Sequence, residues 1–133
     1  MAACAVHLGT VPTPGFAISE VVAPVVEPGV DVAVRGAVDE VLAARSALGP
    51  EPLALRVERA DWRPARRAGD VVVYDATLAV RFRATGRERL VTVSTSLSDP
   101  GSAGAADPVR AAAFAGLARR AAEEGVAWLV LGG

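Results

Sequence analysis

A chain of 133 residues amounts to one domain, able to bury about two-thirds of the surface its unfolded form exposes, so it needs neither metal nor disulfide to fold. Its formal net charge of −1 lacks the basic surplus a nucleic-acid binder uses to neutralise phosphates. No stretch reaches the roughly 20 apolar residues of a membrane-spanning helix, and the single cysteine, Cys4, excludes an internal disulfide.

The chain opens with Met1-Ala2-Ala3-Cys4, which reads as the end of a bacterial lipoprotein signal whose charged and apolar regions would precede Met1. Gly9-Thr10-Val11-Pro12-Thr13-Pro14-Gly15 follows as an extended tether, since its prolines suit neither a helix nor a central strand. Residues 1–15 are therefore expected to be anchor and tether, and residues 16–133 a single domain. Phe16 to Ala23 predicts a first strand, ended by Pro24. After Pro28-Gly29, Asp31 is a candidate cap for a helix whose apolar positions Val34, Val38, Val41, Leu42 and Leu48 recur at helical spacing, with Gly49-Pro50 as its stop.

Leu53, Leu55 and Val57 alternate with Arg56 and Glu58, which predicts a second strand bending near Ala60 to Trp62. The strongest structural signal is a hairpin, with Val71 to Ala84 and Arg87 to Leu97 flanking Thr85-Gly86. A two-residue loop there sets Phe82 opposite Arg89, Val80 opposite Val91, Leu78 opposite Val93, Ala76 opposite Thr95 and Tyr74 opposite Leu97. One face is then apolar, and the other carries Asp75, Thr77, Arg81 and Arg83 beside Leu90, Thr92, Ser94 and Ser96.

Asp99 to Ala106 is a Gly/Ser/Ala-rich connection, and Asp107-Pro108 marks a helix start. Val109, Ala113, Phe114, Leu117 and Ala121 form the buried stripe of this second helix, and Gly125 is its expected end. Val126 to Leu131 fits a fifth strand or a final helical turn, and the pattern leaves both open. The expected fold is α+β: one mostly antiparallel sheet of four or five strands, two helices packed on one face, order β-α-β-β-β-α.

Signals for catalysis are sparse. The single histidine, His7, lies in the tether, where nothing local orients it as a base; no metal-ligand cluster, nucleophile elbow or phosphate loop is present. The chain is thus expected to be no enzyme and to carry no cofactor or metal. Charge placement offers more. Between Arg56 and Arg89 nine arginines stand against five acids, whereas the flanks hold five arginines and ten acids. Trp62-Arg63-Pro64-Ala65-Arg66-Arg67 reads as a loop able to grip phosphate or carboxylate, with Arg87 and Arg89 at the hairpin end adding to it. Solvation of exposed strands is the plainer explanation of the same arginines.

With those elements placed, Cys4-Ala5-Val6-His7-Leu8 and the order strand, helix, three strands, helix resemble the LptE family, the outer-membrane lipoproteins of lipopolysaccharide transport. The resemblance implies a lipid anchor on Cys4, a non-catalytic domain pairing with an outer-membrane β-barrel protein on the periplasmic face, and basic residues contacting an anionic glycolipid, lipopolysaccharide. The candidate ligand-binding residues are Arg63, Arg66, Arg67, Arg87 and Arg89. Three alternatives stand beside it: another periplasmic lipoprotein auxiliary to a transporter; a soluble cytoplasmic binding module or a homodimer pairing through a sheet edge; and a small enzyme using Arg81, Ser94 and Ser96 at a dimer interface.

Overall fold

A computed structural model of the chain describes residues 15–25, 27–99 and 106–131. Cys4, His7, nearly all of the tether and most of the Gly/Ser/Ala connection lie outside these residues, as does the Asp107 side chain. The elements run β1 (Phe16–Val22), α1 (Val30–Ala44), β2 (Glu51–Ala68), β3 (Val71–Ala84), β4 (Arg87–Asp99) and α2 (Ala106–Val130), the expected β-α-β-β-β-α order. The sheet order is β1-β2-β3-β4. β1 pairs parallel to β2 at one edge, and the other pairings are antiparallel.

One apolar cluster lies between the sheet and the two helices. Val34, Val38 and Leu42 of α1, Phe114, Leu117 and Val126 of α2, and Leu55, Leu78, Val80 and Phe82 of the sheet all belong to it. The β3–β4 hairpin has the register expected from its two-residue loop, with Phe82 opposite Arg89 and Tyr74 opposite Leu97. Thr85 and Gly86 both take positive φ, 53° and 74°, as a turn matching the right-handed strand twist requires.

Four local expectations are corrected. The start of α1 is capped by Gly29 in the left-handed conformation, and Asp31 stands in the first turn, where its charge still favours the positive end of the helix dipole. The helix also stops early, at Ala44, leaving Leu48 outside it and 56% exposed. β2 does not give way to a loop after Trp62 but runs on to Ala68. Finally, α2 passes through Gly125 to Val130, so residues 126–130 are helix and not a fifth strand. The reason is packing: a Cβ on Gly125 would stand 2.2 Å from the tip of the Phe82 ring, so the glycine admits the ring where another residue would exclude it.

Candidate functional site

The helices cover one face of the sheet, and the other face presents β2, β3 and β4 to solvent. What stands on that open face depends on two bulges in β2. Between Val57 and Arg59 the register with β3 slips by one residue, leaving Glu58 without a partner; Val57 faces Val80 and Arg59 faces Ala79. A bulge of this kind reverses the in–out alternation. Before it the odd residues Leu53, Leu55 and Val57 are buried; after it the even residues Ala60 and Trp62 turn to the core.

The bulge also places Glu58 between arginines. Arg81 donates to it at 2.8 Å and Arg56 at 3.4 Å, while Arg81 also reaches Glu88 at 3.3 Å. The hydrogen bond from Arg81, and after it the one from Arg56, holds the Glu58 carboxyl below its usual range despite an opposing contribution from desolvation. Bonding to Glu58 reciprocally raises the affinity of Arg81 for its proton. Farther along this face Ser96 donates to Asp75 at 2.6 Å, and Thr77 and Ser94 share a hydrogen bond of 3.0 Å.

Beyond Arg56, β2 has no β1 residue beside it, so β2, β3 and β4 extend as a three-stranded arm with β2 at its edge, and Gly69 and Asp70 form the β2–β3 turn at its tip. Pro64 is tolerated there because it belongs to a strand unpaired on one side. The base of the arm is fixed by aromatic packing. Trp62 stacks on Tyr74 with centroids 4.7 Å apart and lies 6.5 Å from Phe114 of α2. Arg110 of α2 sits over the Trp62 ring at 5.7 Å and grips Glu27 with both its Nε and a terminal nitrogen, at 2.9 and 2.5 Å. The Glu27 side chain is only 6% exposed, so this pair ties the segment before α1 to the arm base. A cleft of about 410 Å³ runs beside Val25, Arg59, Asp61, Trp62 and Arg110. Within it Asp61 bonds Arg59 and, at 3.5 Å, Arg63.

The five arginines expected to bind a ligand do not converge. Arg63 lies opposite Asp75, Arg66 opposite Val73 and Arg67 opposite Val72, all three exposed on the arm. A second slip between Pro64 and Arg66 leaves Ala65 extra, so Arg63 and Arg66 share the open face and Arg67 points to the other. Among the described residues, neither Arg66 nor Arg67 meets a carboxylate. Arg87 and Arg89 belong to the opposite end of the sheet, twelve and ten register steps from Arg67, or about 40 and 33 Å at roughly 3.3 Å per residue. There Arg87 stacks over Trp128 at 4.9 Å and donates to the Leu129 carbonyl at the end of α2. Arg89 reaches Glu124 at 4.0 Å. Both are thus engaged by the C-terminal part of α2, whose unpaired carbonyls attract cations. The arm trio and this pair are two separate basic groups.

Arg56 is a basic residue of the open face that was not singled out from the sequence, although the alternation of Leu53, Leu55 and Val57 already turned it outward. Glu58 also belongs there, and only the bulge reveals its role. Among the described residues no group of three or more His, Cys, Asp and Glu side chains is placed to hold a metal ion, and no helix is long and apolar enough to cross a membrane.

No family model matches this sequence, and no curated protein does. Solved structures do share its fold. A putative lipoprotein from Caulobacter crescentus is 18% identical with a TM-score of 0.60, over 86% of this chain and 88% of that one. A minor lipoprotein from Acinetobacter baumannii is 11% identical with a TM-score of 0.57, over 92% of this chain and 95% of that one. Both span nearly their whole length, so the helix-covered four-stranded sheet is common to all three.

Proposed function

We propose that the chain is a non-catalytic lipoprotein of the bacterial cell envelope, anchored through Cys4, whose domain binds a partner. The observation that carries this reading is the order of parts: Ala2-Ala3-Cys4, a Pro/Gly tether, then β1 of a fold shared with two lipoproteins. One acyl chain holds a protein to a bilayer only marginally, so stable attachment takes several chains on that cysteine. Expressed from its own gene in a bacterial host fed labelled palmitate, the protein should carry label and fractionate with membranes. Cys4→Ser should lose both. Equal labelling and fractionation of the two forms would refute the reading.

In its finer form the reading assigns the protein to lipopolysaccharide assembly at the outer membrane, pairing with a β-barrel and contacting anionic glycolipid. The Cys4-Ala5-Val6-His7-Leu8 resemblance supports it, together with the unpaired charges of Arg66 and Arg67 on an exposed arm. Arg63, Arg66 and Arg67 are the glycolipid-binding group in this form; Arg87 and Arg89, held against α2, are assigned to positioning the hairpin. Binding of purified domain to lipopolysaccharide should weaken with added salt and with Arg66→Ala/Arg67→Ala. Binding indifferent to both changes removes the arm from the account and leaves the anchor untouched.

A further inference from the structure

The two edges of the sheet are built differently. β1 is seven residues long, carries Glu20 and is broken by a register slip between Ile18 and Glu20. Short length, charge and a bulge are the usual devices that stop an edge strand from pairing with another chain. β4 has none of them along most of its length. It is 13 residues long, its register with β3 is unbroken from Arg87 to Asp99, and Leu90 to Ser98 contains no charge and no proline.

The hairpin fixes which backbone groups of β4 are free. With a two-residue loop, Ala84 and Arg87 form the hydrogen-bonded closing pair, and bonded pairs then alternate along the ladder. Odd-numbered residues of β4 bond to β3, and even-numbered residues from Glu88 to Ser98 turn N–H and C=O to the open edge. Arg120 of α2 confirms the direction at one point, donating to the Ser94 carbonyl at 2.8 Å. That oxygen keeps a second lone pair.

A groove of about 440 Å³ runs along the same edge on the helix side, lined by Thr95, Leu97, Val109, Ala112, Gly116 and Arg120. A single occupant fits both features. α2 lies over β3 and β4 alike, so at about 4.8 Å between strands its axis is roughly 2.4 Å inside β4. If β4 of a second copy pairs antiparallel with β4, the two-fold axis stands about 2.4 Å outside, and the two α2 helices run about 10 Å apart, at the upper end of the packing distance of helices. The residues on the facing side, Ala112 and Gly116, are small enough for that approach, and the groove of each copy receives the helix of the other. Leu90–Ser98 itself brings no charge to the seam; the charged side chain nearest to it is Arg120, which is already bonded to the Ser94 carbonyl.

We infer that the open edge of β4 and the Ala112–Gly116 face of α2 form a two-fold interface between copies of this chain, which joins two sheets into one of eight strands. Among the described residues, the isologous arrangement exposes no further edge except the two protected β1 strands.

Sedimentation equilibrium of the full chain carrying Cys4→Ser, over a range of loading concentrations, tests this. The expected species has twice the 13.6 kDa mass of one chain. Thr92→Pro removes an edge-facing N–H and no backbone bond to β3. Gly116→Lys places a side chain where the folded monomer offers open space within 4 Å. Both should retain the circular dichroism of the parent while weakening association at least about tenfold. Cysteine at Thr92, Ser94 or Ser96, introduced singly, should form a disulfide with itself at the position nearest the axis, where opposed Cα atoms stand about 5.5 Å apart. A parent chain that sediments as 13.6 kDa at every concentration overturns the inference. So does a dimer that neither variant weakens, or one in which none of the three positions cross-links.

Discussion

Replacing Gly125 with alanine separates two effects that usually act together. In the interior of an exposed helix the change stabilises by about 1 kcal/mol, because glycine is the costlier residue there. At Gly125 the new methyl would fall 2.2 to 2.5 Å from three atoms of the Phe82 ring, and Phe82 is 0% exposed, so the ring cannot retreat without displacing the core. Overpacking of this kind costs about 1–3 kcal/mol. Set against the helix gain, Gly125→Ala should be destabilising by up to about 2 kcal/mol. Gly36, with nothing within 4 Å of its would-be Cβ, is the internal control, and Gly36→Ala should stabilise by about 0.4–1 kcal/mol. Urea denaturation followed by circular dichroism gives both values. Adding Phe82→Leu to Gly125→Ala should cost less than the two single changes summed, the sign of direct contact. If Gly125→Ala stabilised the chain as Gly36→Ala does, the ring would not occupy that space and the account of why α2 continues would fail.

Glu58 has its folded-state pKa lowered, so its contribution to stability is present above the ordinary glutamate value of the unfolded chain, begins to fade as pH drops past it, and is lost as pH falls through the lower folded value. The urea midpoint of Glu58→Gln should therefore drop less than that of the parent between neutral pH and about pH 4, near the reference glutamate value. Arg110→Met leaves the buried Glu27 carboxylate without its bidentate partner and should cost about 1–3 kcal/mol, with much of the loss regained in the double variant Arg110→Met/Glu27→Met; an additive double variant would contradict the pairing. Thr85 holds a φ of 53°, awkward for a β-branched residue. Thr85→Asn, which suits that turn, should raise the thermal midpoint by a few degrees, and Gly86→Ala, at φ 74°, should lower it.

The hairpin was legible because a two-residue loop leaves a single register for everything that follows, from Phe82–Arg89 to Tyr74–Leu97. The course of β2 was not. A bulge is one residue out of step, and its trace in the sequence is only the consecutive polar pair Glu58-Arg59. A bend near Ala60 to Trp62 followed by a loop leaves the arginines of residues 62–67 free to join Arg87 and Arg89; the ladder instead carries them to the other end of the sheet. Gly125 misled for a related reason. Glycine ends helices through local backbone freedom, but here the aromatic ring of a distant strand determines the residue, and no local pattern reports it. Leu48 fitted the helical spacing of α1 yet lies beyond Arg45, where the chain turns back toward Phe16.

The account turns most directly on the chemical state of one sulfur atom. Mass spectrometry of the N-terminal peptide, prepared from membranes of cells expressing the complete native gene, reads it without reference to any partner. The peptide is expected to begin at Cys4 and to carry several acyl chains on that residue. A peptide that begins at Met1 or earlier and bears an unmodified Cys4 thiol would contradict the anchored reading.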